Sequence, residues 1–363
     1  MSVEFEIEGR ALGEFRPTYF IADIGANHDG SLARALELID AAARAGADAA
    51  KFQNFHADRI VSQRGFERLG NIAHQAAWKK SVYETYEDAQ IAEEWTTSLR
   101  DACTRAGIAY FTSPYDVESV DLVDPFVDAY KIGSGDITFD ELLRYIAGKG
   151  KPLLLATGAS TYDDVERAVG ILRAAAPPGT PLCVMQCNTN YTGDLENFKY
   201  VNLNVLKTYA AAFPDALLGL SDHTPGLATA LGAVALGARV IEKHFTDDNA
   251  RVGPDHGFAM TPATWREMVD RTRELEYALG GTEKAVESNE RQSAVVQRRA
   301  LHAARRILAG EVIDAAAIAA LRPCPAGAIP PTARRLVEGA RAARDYEAGD
   351  RFSFEDWPAG LRA

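Results

Sequence analysis

Two lysines, two histidines and two aspartates stand in this chain where such side chains are costly unless they are used. Lys51 and Lys131 interrupt the apolar runs Ala47 to Phe52 and Ala129 to Ile132, and a lysine in such a run needs an anion to offset its desolvation. Hydroxyls lie close by, and the turn Ile132-Gly133-Ser134-Gly135 offers backbone N–H groups to a phosphate. Together they read as a phosphate or carboxylate pocket. Pairing with neighbouring carboxylates, or Schiff-base chemistry by a strand-end lysine, are the alternatives. His223 follows Ser221-Asp222, and His244 closes Val240-Ile241-Glu242-Lys243-His244. On adjacent strand ends the two imidazoles would reach one cation and leave positions open for substrate and water. Asp23 and Asp136 fall near the same ends, where a carboxylate moves protons, orients a ligand or neutralises a lysine. His28, in Asn27-His28-Asp29-Gly30, and His256 are weaker ligand candidates, the first in what reads as turn chemistry.

The elements that must position these residues follow a regular rhythm. Short apolar runs at 19–24, 47–52, 108–111, 129–132, 153–156, 182–185, 217–220 and 240–242 alternate with amphipathic stretches. One such stretch, Ser31 to Gly46, carries Leu32, Leu36, Ile39 and Ala43 at helical spacing, with Ser31 to cap its start and Gly46 its end. Eight strand–helix units are the arithmetic of a (β/α)8 TIM barrel, an α/β fold. A doubly wound open sheet alternates in the same way. The barrel is favoured because nearly every run ends in a charged, hydroxyl or His-bearing tip, and a barrel opens all eight ends on one face. Thr261-Pro262 starts a further helix that ends at Gly280-Gly281. Residues 1–281 are therefore read as the barrel domain, the polar stretch 282–299 as a linker, and 300–363, broken by Gly310, Pro323, Pro325, Pro330, Pro331 and Gly349, as a small second domain.

Composition narrows the function. The 363 residues carry 39 Lys and Arg against 51 Asp and Glu, a net charge of −12, which disfavours nucleic acid and anionic membranes as partners. No run reaches the length of a membrane span, and the N-terminus lacks a signal-peptide pattern, so a cytoplasmic protein is expected. The scattered Cys103, Cys183, Cys187 and Cys324 read as buried, reduced thiols rather than a metal motif.

Several ordered strings resemble the N-acetylneuraminate synthase family, the bacterial sialic acid synthases and their nonulosonic acid relatives. They are Ile21 to Gly30, Ala50-Lys51-Phe52-Gln53, Ala129 to Gly135, Leu220-Ser221-Asp222-His223-Thr224, Glu242 to Asp247 and Gly253-Pro254-Asp255. The likeness spans essentially the whole chain, and the last 65 or so residues resemble the family's C-terminal antifreeze-like (SAF) domain, of β-clip type. It implies condensation of phosphoenolpyruvate with an open-chain N-acyl hexosamine, N-acetylmannosamine or a relative, to a nine-carbon 2-keto-3-deoxy acid and phosphate. It also implies a divalent metal at His223 and His244, manganese first, with magnesium or cobalt as alternatives. Lys51, Lys131, Ser113, Ser134 and Ser221 match positions around phosphoenolpyruvate; Gln53, Tyr191 and Asp255 match the acceptor side. Arg322 matches an arginine that reaches the acceptor in the partner subunit's barrel, which implies a domain-swapped homodimer.

Three departures from the family pattern stand out. Asp23 and Asp136 occupy positions where glutamate is usual, so each carboxylate is drawn back by one methylene. Thr189 stands at a common phosphate-binding asparagine, with Asn188 and Asn190 beside it to compensate. The segment His74 to Lys80 is unlike the usual acceptor loop, which leaves the acceptor open among N-acetylmannosamine and legionaminic-type, pseudaminic-type or other aldose precursors. A pyruvate aldolase working through a lysine Schiff base, and a non-catalytic carbohydrate-binding protein, are the competing readings.

Overall fold

Each of the eight apolar runs becomes a strand in the computed structural model, which describes residues 3–70, 78 and 80–357. An antiparallel hairpin, β1 (Glu4–Ile7) and β2 (Arg10–Gly13), comes first. The runs themselves are β3 (Tyr19–Asp23), β4 (Ala49–Asn54), β5 (Ala109–Pro114), β6 (Tyr130–Ile132), β7 (Leu153–Ala156), β8 (Leu182–Cys187), β9 (Leu217–Asp222) and β10 (Val240–His244). They pair in the order β5-β4-β3-β10-β9-β8-β7-β6, every recorded pairing is parallel, and β5 and β6 lie side by side. The sheet thus curls into an α/β barrel rather than the open doubly wound alternative.

Period-two alternation sorts the strand residues into two cores. Tyr19, Ile21, Ala49, Phe111, Leu154, Met185 and Val240 share the barrel interior with Phe5, Ile7 and Leu12 of the hairpin, which therefore plugs one end. Their neighbours Phe20, Ala22, Phe52, Tyr110, Leu155 and Ile241 pack outward against the helices. Towards the strand C-termini the interior layer changes character to Asp23, Lys51, Ser113, Lys131, Ser221 and Glu242, all buried.

Local signals place the helices. Helix Leu32–Ala45 starts under Ser31, whose hydroxyl accepts from the Arg34 N–H, and stops at Gly46 with φ +95°, a conformation that favours glycine. Its buried face is Ala35, Leu38, Ile39, Ala42 and Ala45, one step round from the predicted stripe, because alanines let the helix approach the strands while Leu32 and Leu36 stay at the margin. Helix Pro262–Leu279 is capped by Thr261 and drives Trp265 against Phe20 and Phe245.

The chain divides into two compact units, Met1–Gly280 and Gly281–Ala363. In the second, β11 (Ala300–Ala303) and β12 (Ile318–Leu321) pair antiparallel over a core of Leu301, Ile307, Ile313, Ile329, Val337 and Phe352. Part of the stretch read as linker forms a helix, Arg291–Gln297, tied to this unit by the Cys324 N–H donating to the Val295 carbonyl at 2.8 Å. All four cysteines are free; three are buried and Cys324 is half-buried. Among the described residues no helix is long and apolar enough to cross a membrane.

Candidate active site

The polar layer opens into a cavity of about 520 Å³ at the strand C-termini. Lys51 Nζ lies 2.7 Å from Asp23 Oδ2 and 3.5 Å from Glu242 Oε1, and Lys131 Nζ lies 3.2 Å from the same Glu242 oxygen. The pairing anticipated as an alternative for the lysines is thus realised, with both ammoniums facing one carboxylate. Burial pulls the Lys51 amine down, but Asp23 and Glu242 outweigh it and hold it protonated above its ordinary value. Burial likewise opposes the Asp23 anion, yet Lys51 and His244 keep that carboxyl below the usual range. Among the described residues Asp136 has no such partner, and burial pushes it up to about 7. The mouth therefore holds one carboxylate kept ionised and one poised to exchange its proton near neutrality.

Hydroxyls complete the lysine side. Ser113 Oγ, on β5 between the two lysine strands, is buried with no hydrogen-bond partner among the described residues, an unsatisfied group that a ligand anion would satisfy. Ser134 Oγ accepts from the Gly158 N–H at 2.9 Å, and Ser221 Oγ donates to Glu242 at 3.3 Å. A Cβ at Gly158 would come 2.9 Å from Ser134 Oγ and 2.5 Å from Thr189 Cγ2, so glycine is needed for this approach.

The imidazoles occupy the strands beyond. His223 and His244 have ring centroids 5.4 Å apart. Burial first, then repulsion from His244, pulls His223 down to about 3, so its ring is neutral as metal ligation requires. Its Nδ1 lies 2.9 Å from the Asn188 carbonyl, which selects the Nδ1–H tautomer and leaves the lone pair on Nε2. His244 places Nε2 3.5 Å from Asp23 Oδ2 and Nδ1 3.6 Å from Asp255 Oδ2. Two imidazoles beside a carboxylate whose Oδ1 is buried and, among the described residues, unpartnered fit a divalent cation with few protein ligands. Among the described residues no group of three or more His, Cys, Asp and Glu side chains is arranged to enclose such an ion.

Of the residues singled out from sequence, thirteen share this cavity: the two lysines, Asp23 and Asp136, Ser113, Ser134 and Ser221, Gln53, Thr189, Tyr191, Asp255 and the two histidines. Arg322 belongs to the second unit, where its Nε donates to the Gln297 carbonyl at 2.7 Å. Asn188 and Asn190 do not compensate for Thr189: the first donates to the Tyr200 carbonyl and the second accepts from the Thr192 N–H, and neither lines the cavity. His28 and His256 are structural. The first accepts from the Gly30 N–H at 3.0 Å; the second is fixed between Thr246 and Asp29 at 2.7 and 3.0 Å. Of the divergent segment, Trp78 and Lys80 are described and Trp78 lines the cavity; residues 74–77 and 79 lie outside the described residues.

Sequence reasoning gave no role to Glu242, although its place two residues before His244 puts both on the inner face. It also missed a wall of Phe55, Ile60, Tyr86 and Tyr115, where Phe55 packs on Tyr86 and Tyr115 with centroids 5.6 and 5.8 Å apart. Gly25, at φ +48°, is a third omission: a Cβ there would lie 2.9 Å from Asp255 Oδ2 and 3.3 Å from the His244 ring.

A parallel barrel with an enclosed, charged mouth at its strand C-termini is the architecture of the barrel enzymes. Residues 38–284 match the NeuB family and residues 298–356 the SAF domain, and the chain belongs to the NeuB family. It is 35% identical over 370 residues to the Bacillus subtilis spore coat polysaccharide biosynthesis protein SpsE, covering 97% of this chain and 96% of that protein. The N,N'-diacetyllegionaminic acid synthase of Legionella pneumophila is 32% identical over 346 residues, 94% of this chain and 95% of that one. The crystal structure of the N-acetylneuraminic acid (sialic acid) synthetase of Leptospira borgpetersenii, in complex with citrate, matches with a TM-score of 0.71 at 27% identity, covering 81% of this chain and 95% of that chain. The protein is accordingly an enzyme of a family of sialic-type acid synthases.

Proposed function

We propose that the barrel condenses phosphoenolpyruvate with the aldehyde of an open-chain N-acyl hexosamine, N-acetylmannosamine or a relative, releasing phosphate and a nine-carbon 2-keto-3-deoxy acid. The observation that carries this reading is the buried Lys51–Glu242–Lys131 cluster beside the unsatisfied Ser113 hydroxyl. Such a cluster suits a small, multiply charged anion. The named synthase relatives support the product class.

In the reaction the C3 carbon of the enol ether attacks the aldehyde carbon, forming the new C–C bond while the aldehyde oxygen takes a proton. Water then adds at C2 and loses one proton, and the C2–O bond to phosphate breaks as the remaining C2 hydroxyl proton passes to the departing phosphate, leaving the ketone. Lys51, Lys131, Ser113 and Ser221 bind and orient the phosphate and carboxylate groups. Gln53, Tyr191 and Asp255 hold the acceptor. Asp136, with its carboxyl near 7, supplies a proton to the developing alkoxide, and Asp23 fixes Lys51 and His244. His223 and His244 would hold a divalent cation, manganese in preference to magnesium or cobalt, which would supply Lewis-acid polarisation of the aldehyde oxygen. A Schiff base at Lys51 is disfavoured because Asp23 and Glu242 keep its amine protonated, and a protonated amine is not a nucleophile. The active form is a homodimer in which Arg322 serves the partner subunit's acceptor site.

The test is to incubate the protein with phosphoenolpyruvate, Mn2+ and a panel of N-acyl hexosamines, with and without EDTA, following phosphate release and product mass. Phosphate release that requires one sugar and the metal supports the reading. Turnover of pyruvate trapped by borohydride, or sugar binding with no affinity for phosphoenolpyruvate, overturns it. Arg322→Ala is expected to raise the acceptor KM several-fold with phosphoenolpyruvate affinity unchanged; an unchanged acceptor KM contradicts the swapped arrangement.

A further inference from the structure

A wholly buried ion pair stands behind the two imidazoles. Along β9 and β10 the side chains alternate, so Ser221 and Glu242 face the cavity while Asp222 and Lys243 face outward. These two outward residues are partners in the strand register, and their side chains are 2% and 1% exposed. The Lys243 ammonium binds Asp222 Oδ2 and also donates to the Thr224 carbonyl at 2.6 Å. Asp222 Oδ1 accepts from the Thr224 N–H at 3.0 Å and its hydroxyl at 2.9 Å, and Oδ2 accepts from Thr229 Oγ1 at 2.5 Å. One lysine on the strand that ends in His244 thereby grips the residues immediately before and after His223.

This grip falls where the ladder stops. His223 lies beyond the last residue of β9, so no strand pairing fixes it; its ring is held by the Asn188 carbonyl and its backbone by the two flanking residues. A buried ion pair is a poor device for stability alone, since a well-packed apolar pair of similar volume does as well or better. What it adds is a fixed geometry.

We propose that Asp222 and Lys243 are positioning residues that hold the backbone on either side of His223, and so set its separation from His244 and its alignment with the Asn188 carbonyl that selects its tautomer, and through these the affinity for a divalent cation. The inference rests on the reading of those histidines as cation ligands. Outer partners of metal-binding histidines typically change affinity by roughly 10–100-fold when removed.

The experiment replaces the pair as a unit, Asp222→Leu with Lys243→Met, so that no buried charge is orphaned, and compares the full chain with native protein and with His223→Ala. Mn2+ binding is read by the electron paramagnetic resonance of free Mn2+, folding by thermal unfolding, and the His223 tautomer by 15N imidazole shifts. Expected are a melting temperature within a few degrees of native, Mn2+ affinity weakened about 10–100-fold, and loss of the single Nδ1–H tautomer. Native Mn2+ affinity and native imidazole shifts in the folded double variant overturn the proposal. If native protein binds no Mn2+, the ligand reading fails, and the imidazole shifts alone decide the positioning role. If the double variant does not fold, Thr224→Val, which removes one hydroxyl from the network, carries the same two readouts, and native values in it overturn the proposal.

Discussion

The two ends of the barrel are built from the same strands and obey opposite rules. At the plugged end Phe5, Ile7 and Leu12 of the hairpin meet Tyr19 and Val240 in an apolar core. At the open end the equivalent inward positions are Asp23, Lys51, Lys131 and Glu242, equally buried but charged. The first arrangement gains free energy from every side chain removed from water. The second is paid for by that gain, because buried charges at best break even against apolar replacements. Residues at the open end are therefore present for what they bind.

Substitutions break this comparison in a predictable order. Lys51→Met, which leaves Asp23 without its 2.7 Å partner, is expected to cost about 3–5 kcal/mol, read by urea unfolding. Phosphate release should fall by roughly 10²–10³ as well. Ile7→Ala, at a side chain 1% exposed in the plug, should cost about 2–5 kcal/mol and leave kcat/KM unchanged. A change in kcat/KM would show that the two ends are coupled.

Gly25→Ala forces a Cβ against Asp255 and the His244 ring at positive φ, costing about 1–2 kcal/mol with a weakened cation affinity in the same titration used for His223→Ala. Ser113→Ala removes a buried hydroxyl that has no partner among the described residues. Stability should stay level or rise by about 1 kcal/mol, while the phosphoenolpyruvate Kd measured by calorimetry weakens roughly tenfold or more.

The same mouth also carries a pH dependence. Burial raises the Asp136 carboxyl to about 7 from an ordinary value near 4, so the folded chain binds this proton more tightly than the unfolded one. Its contribution to stability is then fully present below about pH 4 and is lost as pH rises through about 7. Asp136→Asn is expected to flatten unfolding free energy against pH over that interval and to remove a limb near 7 from the kcat profile. A limb that persists in the variant assigns it to another group.

Much of the site was legible because barrel geometry is repetitive. Eight apolar runs with polar tips were enough to bring Lys51, Lys131, His223 and His244 to one mouth, since parallel strands in a closed sheet all end on the same face. Glu242 could have been found the same way, by asking which inward residue answers two buried lysines. Phe55 and Tyr86 were out of reach, because they come from the long excursion between β4 and β5, whose path no periodicity dictates. Asn188 was misjudged for a related reason: its side chain turns to the Tyr200 carbonyl while its own carbonyl holds His223, and side-chain direction past a strand end is set by tertiary contacts.

The sequence by itself determined the alternation of strands and helices, the boundary near Gly280, and which residue types stand at the strand ends. These follow from local periodicity, capping and the cost of burying charge, all of which act within a few residues along the chain. Only the tertiary structure decided which charges pair, that among the described residues Asp136 has no cation beside it, and that Asp222 and Lys243 meet behind the histidines. Those outcomes depend on distances between strands far apart in sequence, and electrostatic interactions inside a protein are governed by such distances and by burial.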